Sequence, residues 1–308
     1  MSISTSAGFS TRMTSADWGR LLLLALLWGG SFFLTGIAVK SVPVMTLVGL
    51  RIGIAALVLW GFVIISGRRI PLDPRVWLAF FIMGFINNVV PFLLIAWGQT
   101  GIPAGLASIL NATTPLWTVL VTAVFLSDEP PNISKLLGVV LGFGGVVIMI
   151  GLDMLHGLGA ALLPQLAILG AALSYAFAGT YGRRFSQMHV DPVAAAAGML
   201  TAGAIILLPL VLLHDGMPSA ATPASTWLAV TILAVACTAF AYVLYFGILN
   251  RAGATNISLV TFLVPVSAIL LSAIFLGEHL GLPHLIGFTL IAGGLALIDG
   301  RLLRRPGR

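Results

Sequence analysis

The feature that most constrains this chain is a succession of apolar runs, each about as long as a helix must be to cross a bilayer. A crossing takes roughly 20 apolar residues, and ten runs reach that length between breaks at Gly, Pro or charge. They fall near residues 18–39, 43–66, 76–98, 102–126, 133–151, 161–182, 192–213, 226–248, 253–276 and 282–300. Lipid cannot hydrate unpaired backbone groups, so runs of this length predict helices. Of the 308 residues, 59% are hydrophobic and 8% charged, which leaves almost no chain for an extramembrane domain. The first run follows Arg12 and Arg20 and continues past Gly36 to Val39, too long for the core of a cleavable signal. The single cysteine, Cys237, excludes an internal disulfide framework.

A net charge of +6 would point to nucleic acid in a soluble chain, but here the basic residues read as topology signals. With the N-terminus in the cytoplasm, Arg12, Arg20, Arg68, Arg69, Arg75, Lys135, Arg183, Arg184, Arg251, Arg301, Arg304, Arg305 and Arg308 all fall inside. Lys40 alone falls outside, and Arg51 sits within a run. Ten crossings then put both termini in the cytoplasm, with no role for nucleic acid.

Two segments about 150 residues apart share an order of landmarks. Pro115 matches Pro265, Phe125-Leu126 matches Phe275-Leu276, Glu129 matches Glu278, Gly138 matches Gly287, and Gly144-Gly145 matches Gly293-Gly294, with one single-residue shift. Apolar composition alone would not align prolines, acids and paired glycines in one order, so a duplication of a five-span unit is expected. Five is odd, so the second copy must cross the membrane in the opposite sense, the inverted repeat of many secondary transporters. The divisions are a tail at 1–17, repeats at 18–152 and 153–300, and a basic tail at 301–308.

Polar groups inside a span should face a partner helix or a water-filled cavity. The stretch "GFINNVVPFLL" puts Asn87, Asn88 and Pro91 in the third run, and its counterpart in the eighth carries Thr238, Tyr242 and Tyr245. Pro91 lacks an N–H, so in an α-helix it frees the carbonyl of Asn87 four residues back. Those groups could hold a substrate or mend a kink. In the fourth run Asn111, Pro115, Thr118 and Thr122 form one stripe, matched in the ninth by Thr261, Pro265, Ala268 and Ser272. Cavity lining and ordinary packing through small residues are both open there. Trp28 and Ser31 share a mid-span face, and Tyr175 offers a similar aromatic wall in the sixth run. Arg51 could attract a carboxylate, but the favoured reading is structural, its fork bonding helix-end carbonyls or snorkelling to the outer surface.

Absences narrow the chemistry. There is no GxxxxGK[ST] for ATP, and His156, His189, His214, His279 and His284 lie in loops or at span ends, leaving an intramembrane enzyme without a general base. The carboxylates also sit at or beyond span ends, so no buried proton relay is visible. No metal or cofactor is expected.

The ten runs, "LLWGGSFFLTGIA", the "LRIGIAAL" holding Arg51, and the "P…FLSDE…G…GG" and "P…FLGE…G…GG" endings resemble the EamA-domain transporters of the drug/metabolite transporter superfamily. Within it the chain is most similar to the YddG type of amino-acid exporter. The resemblance implies an all-α bacterial inner-membrane carrier that exports amino acids, aromatic ones among them, or related metabolites through a central cavity. Drugs or other metabolites are the alternative cargo; a selective channel is a lesser one. The substrate-contacting set expected from the polar, aromatic and proline positions within the spans is Trp28, Ser31, Asn87, Asn88, Pro91, Asn111, Pro115, Tyr175, Thr238, Tyr242 and Pro265, with Arg51 structural or charge-reading.

Overall fold

The computed structural model describes residues 13–69, 71–125, 133–150, 161–215 and 222–299. Glu129, the division at 152 and 153, the tail 301–308 and most of the N-terminal tail lie outside them. The regular structure of the described residues is helical, with no strand among them. Seven helices are long and apolar enough to cross a membrane: α1 (Ser15–Ala38), α2 (Val44–Ile65), α3 (Pro74–Gly98), α4 (Ala104–Phe125), α6 (Leu162–Gln187), α7 (Pro192–His214) and α8 (Ala224–Gly253). Three shorter apolar helices complete the set: α5 (Ile133–Ile150), α9 (Val260–Leu276) and α10 (Leu282–Asp299).

Local chemistry sets the helix ends. α1 starts three residues earlier than expected because Thr14 and Asp17 form a capping box, each side chain serving the other's backbone N–H. Asp73 and Asp191 cap α3 and α7, each followed by proline at the first helical position, where its missing N–H costs nothing. Gly253, at φ 80°, ends the regular part of α8.

Three helices are irregular inside. α3 widens into a π-helical turn at Phe85–Val89 and α8 does the same at Val235–Phe240. α4 runs from Ala104 to Asn111, opens at Ala112 and Thr113, and resumes at Thr114. All three interruptions border the central cavity.

The helices pack in a recurring pattern. α5 lies along α10 and α2 along α7; α1 packs on α9 as α4 packs on α6; α1 meets α8 as α3 meets α6; α2 meets α8 as α3 meets α7. Exchanging α1–α5 with α6–α10 returns each of these pairs. The exchange is incomplete: among the described residues α1 packs on the first part of α4 with no comparable contact of α6 with α9, and α4 packs on α5 with no comparable contact of α9 with α10. Glycine enables the closest approach. A side chain on Gly138 would meet the carbonyl of Gly294, and one on Gly145 the carbonyl of Gly287. The "GVVLGFGG" run is thus a packing surface between α5 and α10. Leu57, Ile65, Leu213 and Leu228 point outward from the bundle, the direction lipid would take.

Candidate functional site

A cavity of about 1500 Å³ penetrates the bundle. Its mouth is rimmed by Arg68 and Arg69 after α2, Asp73 before α3, and Met188, His189 and Asp191 between α6 and α7. Arg68 and Asp191 form an ion pair of 2.6 Å across this rim. At the opposite end two carboxylates bind helix N-termini. Glu278, just beyond α9, accepts from the backbone N–H groups of Ala104 and Gly105 at 2.9 and 3.1 Å, closing the start of α4 against α9. Asp215, at the end of α7, accepts from the Thr46 amide at 3.0 Å and its hydroxyl at 2.8 Å, tying α7 to the start of α2. Such ends carry unpaired N–H donors and a partial positive charge, so a carboxylate both neutralises and fastens them. Burial opposes ionisation of Asp215, but the His214 ring and the Thr46 hydroxyl and amide together hold its carboxyl below the usual range.

The π turn in α3 corrects the expected consequence of Pro91. In that register an N–H reaches five residues back, as Val90 does to Phe85. The carbonyl that Pro91 leaves free is therefore that of Ile86, not Asn87. Ser174 of α6 supplies the missing donor, its hydroxyl 2.6 Å from the Ile86 oxygen. The backbone orphan is thus mended by a neighbouring helix, and the asparagines are released for other work. Both donate to one phenol: Asn87 Nδ2 lies 2.9 Å and Asn88 Nδ2 3.2 Å from Tyr242 Oη of α8.

The two amides nevertheless differ. Asn87 lines the cavity, whereas Asn88 is fully buried behind it, with its Oδ1 unpartnered. Trp28, Ser31, Asn111, Tyr175, Thr238 and Tyr242 line the cavity with Asn87. Pro91, Pro115 and Pro265 do not; they shape the backbone, and Pro91 and Pro265 are buried in packing. Asn111 sits at the break in α4 with a buried Oδ1 that has no partner, while Ser31, Thr118 and Thr122 spend their hydroxyls on carbonyls of their own helices.

Arg51 departs most from the structural role expected of it. It neither reaches the surface nor bonds a helix-end carbonyl. It is 8% exposed, borders the cavity, and donates from Nε to Thr238 Oγ1 at 2.9 Å. Thr238, in the π turn of α8, gives its own proton to the carbonyl of Leu233 five residues back, at 2.7 Å, so its oxygen is free to accept. The guanidinium carbon stands 3.9 Å from the centre of the Phe92 ring.

Phe92, Tyr245 and Phe246 complete the aromatic wall. Trp28 and Tyr245 have ring centres 5.4 Å apart, Tyr245 meets Phe246 edge-on at 5.2 Å, and Tyr242 stacks on Phe246 at 6.2 Å. Phe92 and Phe246 escaped the sequence reading, although each lies four residues beyond a named polar residue, Asn88 and Tyr242. Cys237 also borders the cavity and was read only as an unpaired thiol. No cluster of metal-ligating side chains occurs among the described residues.

An all-helical bundle with membrane-length helices around an aromatic and amide-lined cavity is the architecture of a membrane transporter rather than of a soluble enzyme. The chain belongs to the EamA-like transporter family, whose model matches residues 19–151 and again 162–299. Among its relatives, the uncharacterized transporter YoaV of Bacillus subtilis is 26% identical over 92% of this chain and 97% of its own. The uncharacterized inner membrane transporter YedA of Escherichia coli is 26% identical over 91% and 90%. A probable amino-acid metabolite efflux pump of Escherichia coli is likewise 26% identical, over 92% and 94%. A solved structure shares the fold with a TM-score of 0.67 at 23% identity, over 96% of this chain and 100% of the other.

Proposed function

We propose that this transporter exports amino acids or related small metabolites across the bacterial inner membrane by alternating access. In this reading the ten helices are ten crossings, α1–α5 and α6–α10 are inverted repeats, and both termini are cytoplasmic. The observation that carries it is a deep cavity, open at one end and closed at the other, between two groups of helices whose contacts interchange. The duplicated family match and the paired π turns of α3 and α8 support the repeat.

The mouth lies at the end holding Arg68, Arg69 and Asp191, which the distribution of basic residues assigns to the cytoplasm. The conformation is then inward-open. Its closed outer end is sealed where α1 packs on the start of α4 and Glu278 grips the same helix end. Repeats that rock about their interface would loosen that contact while forming its counterpart between α6 and α9. The aromatic wall of Trp28, Tyr242, Tyr245 and Phe246 suits a partly apolar cargo, with Asn87 and Asn111 giving orientation. The probable efflux activity of the Escherichia coli relative accords with this direction.

Counterflow in proteoliposomes tests the proposal. Vesicles loaded with mixed unlabelled amino acids should take up labelled ones in a saturable way, measured with and without a pH gradient. Failure to take up any amino acid would remove them as substrates; non-saturable uptake without counterflow would indicate a channel.

A further inference from the structure

The proposed transport cavity, on which this inference rests, holds one charge that its surroundings do not match. Arg51 is buried, and no carboxylate among the described residues pairs with it. The acids nearest the cavity, Asp73 and Asp191, stand at the mouth and are occupied there, Asp73 capping α3, Asp191 capping α7 and pairing with Arg68. A guanidinium keeps its proton in proteins, so burying it unpaired costs several kcal/mol. The Phe92 ring face and the Thr238 oxygen offset part of that cost. Neither supplies a negative charge.

The geometry also fixes which donors remain. Thr238 holds Nε, and the guanidinium carbon stands over the Phe92 ring. The two terminal amino groups have no acceptor among the described residues. They form the end-on fork that takes both oxygens of one carboxylate. Among the described residues no acid faces the cavity interior in a position to pair with an ammonium, whereas aromatic rings surround the remaining space.

We infer that Arg51 is the anion-binding residue of the cavity, and that the cargo is recognised as an organic carboxylate with an aromatic or apolar body, its amino group being dispensable. An amino acid satisfies this through its carboxylate. A desamino acid of the same shape satisfies it equally, and an amine or a carboxamide does not.

The experiment compares four probes on the purified full chain: phenylalanine, 3-phenylpropionate, phenylalaninamide and phenylethylamine. Apparent affinity is read from ligand-induced thermal stabilisation and from competition against counterflow. The two carboxylates should bind, and the amide and amine should be roughly ten- to hundredfold weaker, the value of a charge-assisted bond. Arg51→Gln should erase the difference between acid and amide, and Arg51→Lys should restore part of it. The probe series needs no variant, so the inference stays testable even where Arg51→Gln fails to fold. Equal binding of phenylalanine and phenylalaninamide, or no binding of either carboxylate, overturns it. Binding of 3-phenylpropionate without counterflow of any amino acid upholds the carboxylate site while removing amino acids as the cargo.

Discussion

At Tyr242 one phenol oxygen accepts from two amides of another helix, which makes this side chain a joint between α3 and α8. Tyr242→Phe leaves both amides without that acceptor, at about 1–3 kcal/mol for each buried group. The expected outcome is a lower Tm in detergent together with weakened transport; an unchanged Tm would contradict the joint. The asparagines separate the two roles that the sequence left open. Asn88 is fully buried, so Asn88→Leu should act mainly on stability, and Asn87, which borders the cavity, should act mainly on affinity. Parallel thermal unfolding and half-saturation measurements on the two variants check this split. Asp215 adds a pH dependence whose sign follows from its lowered pKa. Its stabilising contribution is complete above the ordinary carboxylate range and is lost as pH falls through the lower, folded-state value. Asp215→Asn should therefore flatten the acid side of the Tm profile, leaving its neutral side uniformly lower.

Among elements, the contact of α5 with α10 relies on absent side chains. Gly138→Leu would drive a side chain into the Gly294 carbonyl, and the helices must part, at about 1–3 kcal/mol or more. Thermal unfolding should register the loss, whereas the same change at Gly144, which meets nothing, should be nearly silent. Much of this scale was legible in the sequence. The apolar runs gave the helices, the proline and asparagines marked the irregular turn of α3, and the glycine run marked a packing face. The π register was not legible, because α and π turns share their residues and differ only in which carbonyl each N–H reaches. Hence the expected orphan fell one residue late, on Asn87 instead of Ile86, and the donor that mends it, Ser174, is 88 residues away. Glu278 was aligned with Glu129 as a repeat landmark, but nothing local reveals that it grips the start of α4 from 174 residues away.

For the whole molecule, the interchangeable helix pairs and the unmatched packing of α1 on the start of α4 belong together. On the proposed inverted repeat, two related halves would allow two equivalent arrangements, of which a cavity closed at one end is one. Arg51 shows the limit of reading such a chain residue by residue: from sequence its fork had a substrate carboxylate, helix-end carbonyls or the outer surface to choose from, with the structural choices favoured, and only the assembled fold puts Thr238 and Phe92 beside it. The most direct test of alternating access is labelling of a cavity cysteine from each face of the membrane. In a Cys237→Ala background, Thr118→Cys places a thiol on the cavity wall. A membrane-impermeant thiol reagent should label it quickly in inside-out vesicles and slowly in right-side-out ones, and Glu278→Ala, by freeing the outer seal, should raise the slow rate. Equal labelling from both faces with Glu278 intact would contradict a cavity reached from one side at a time.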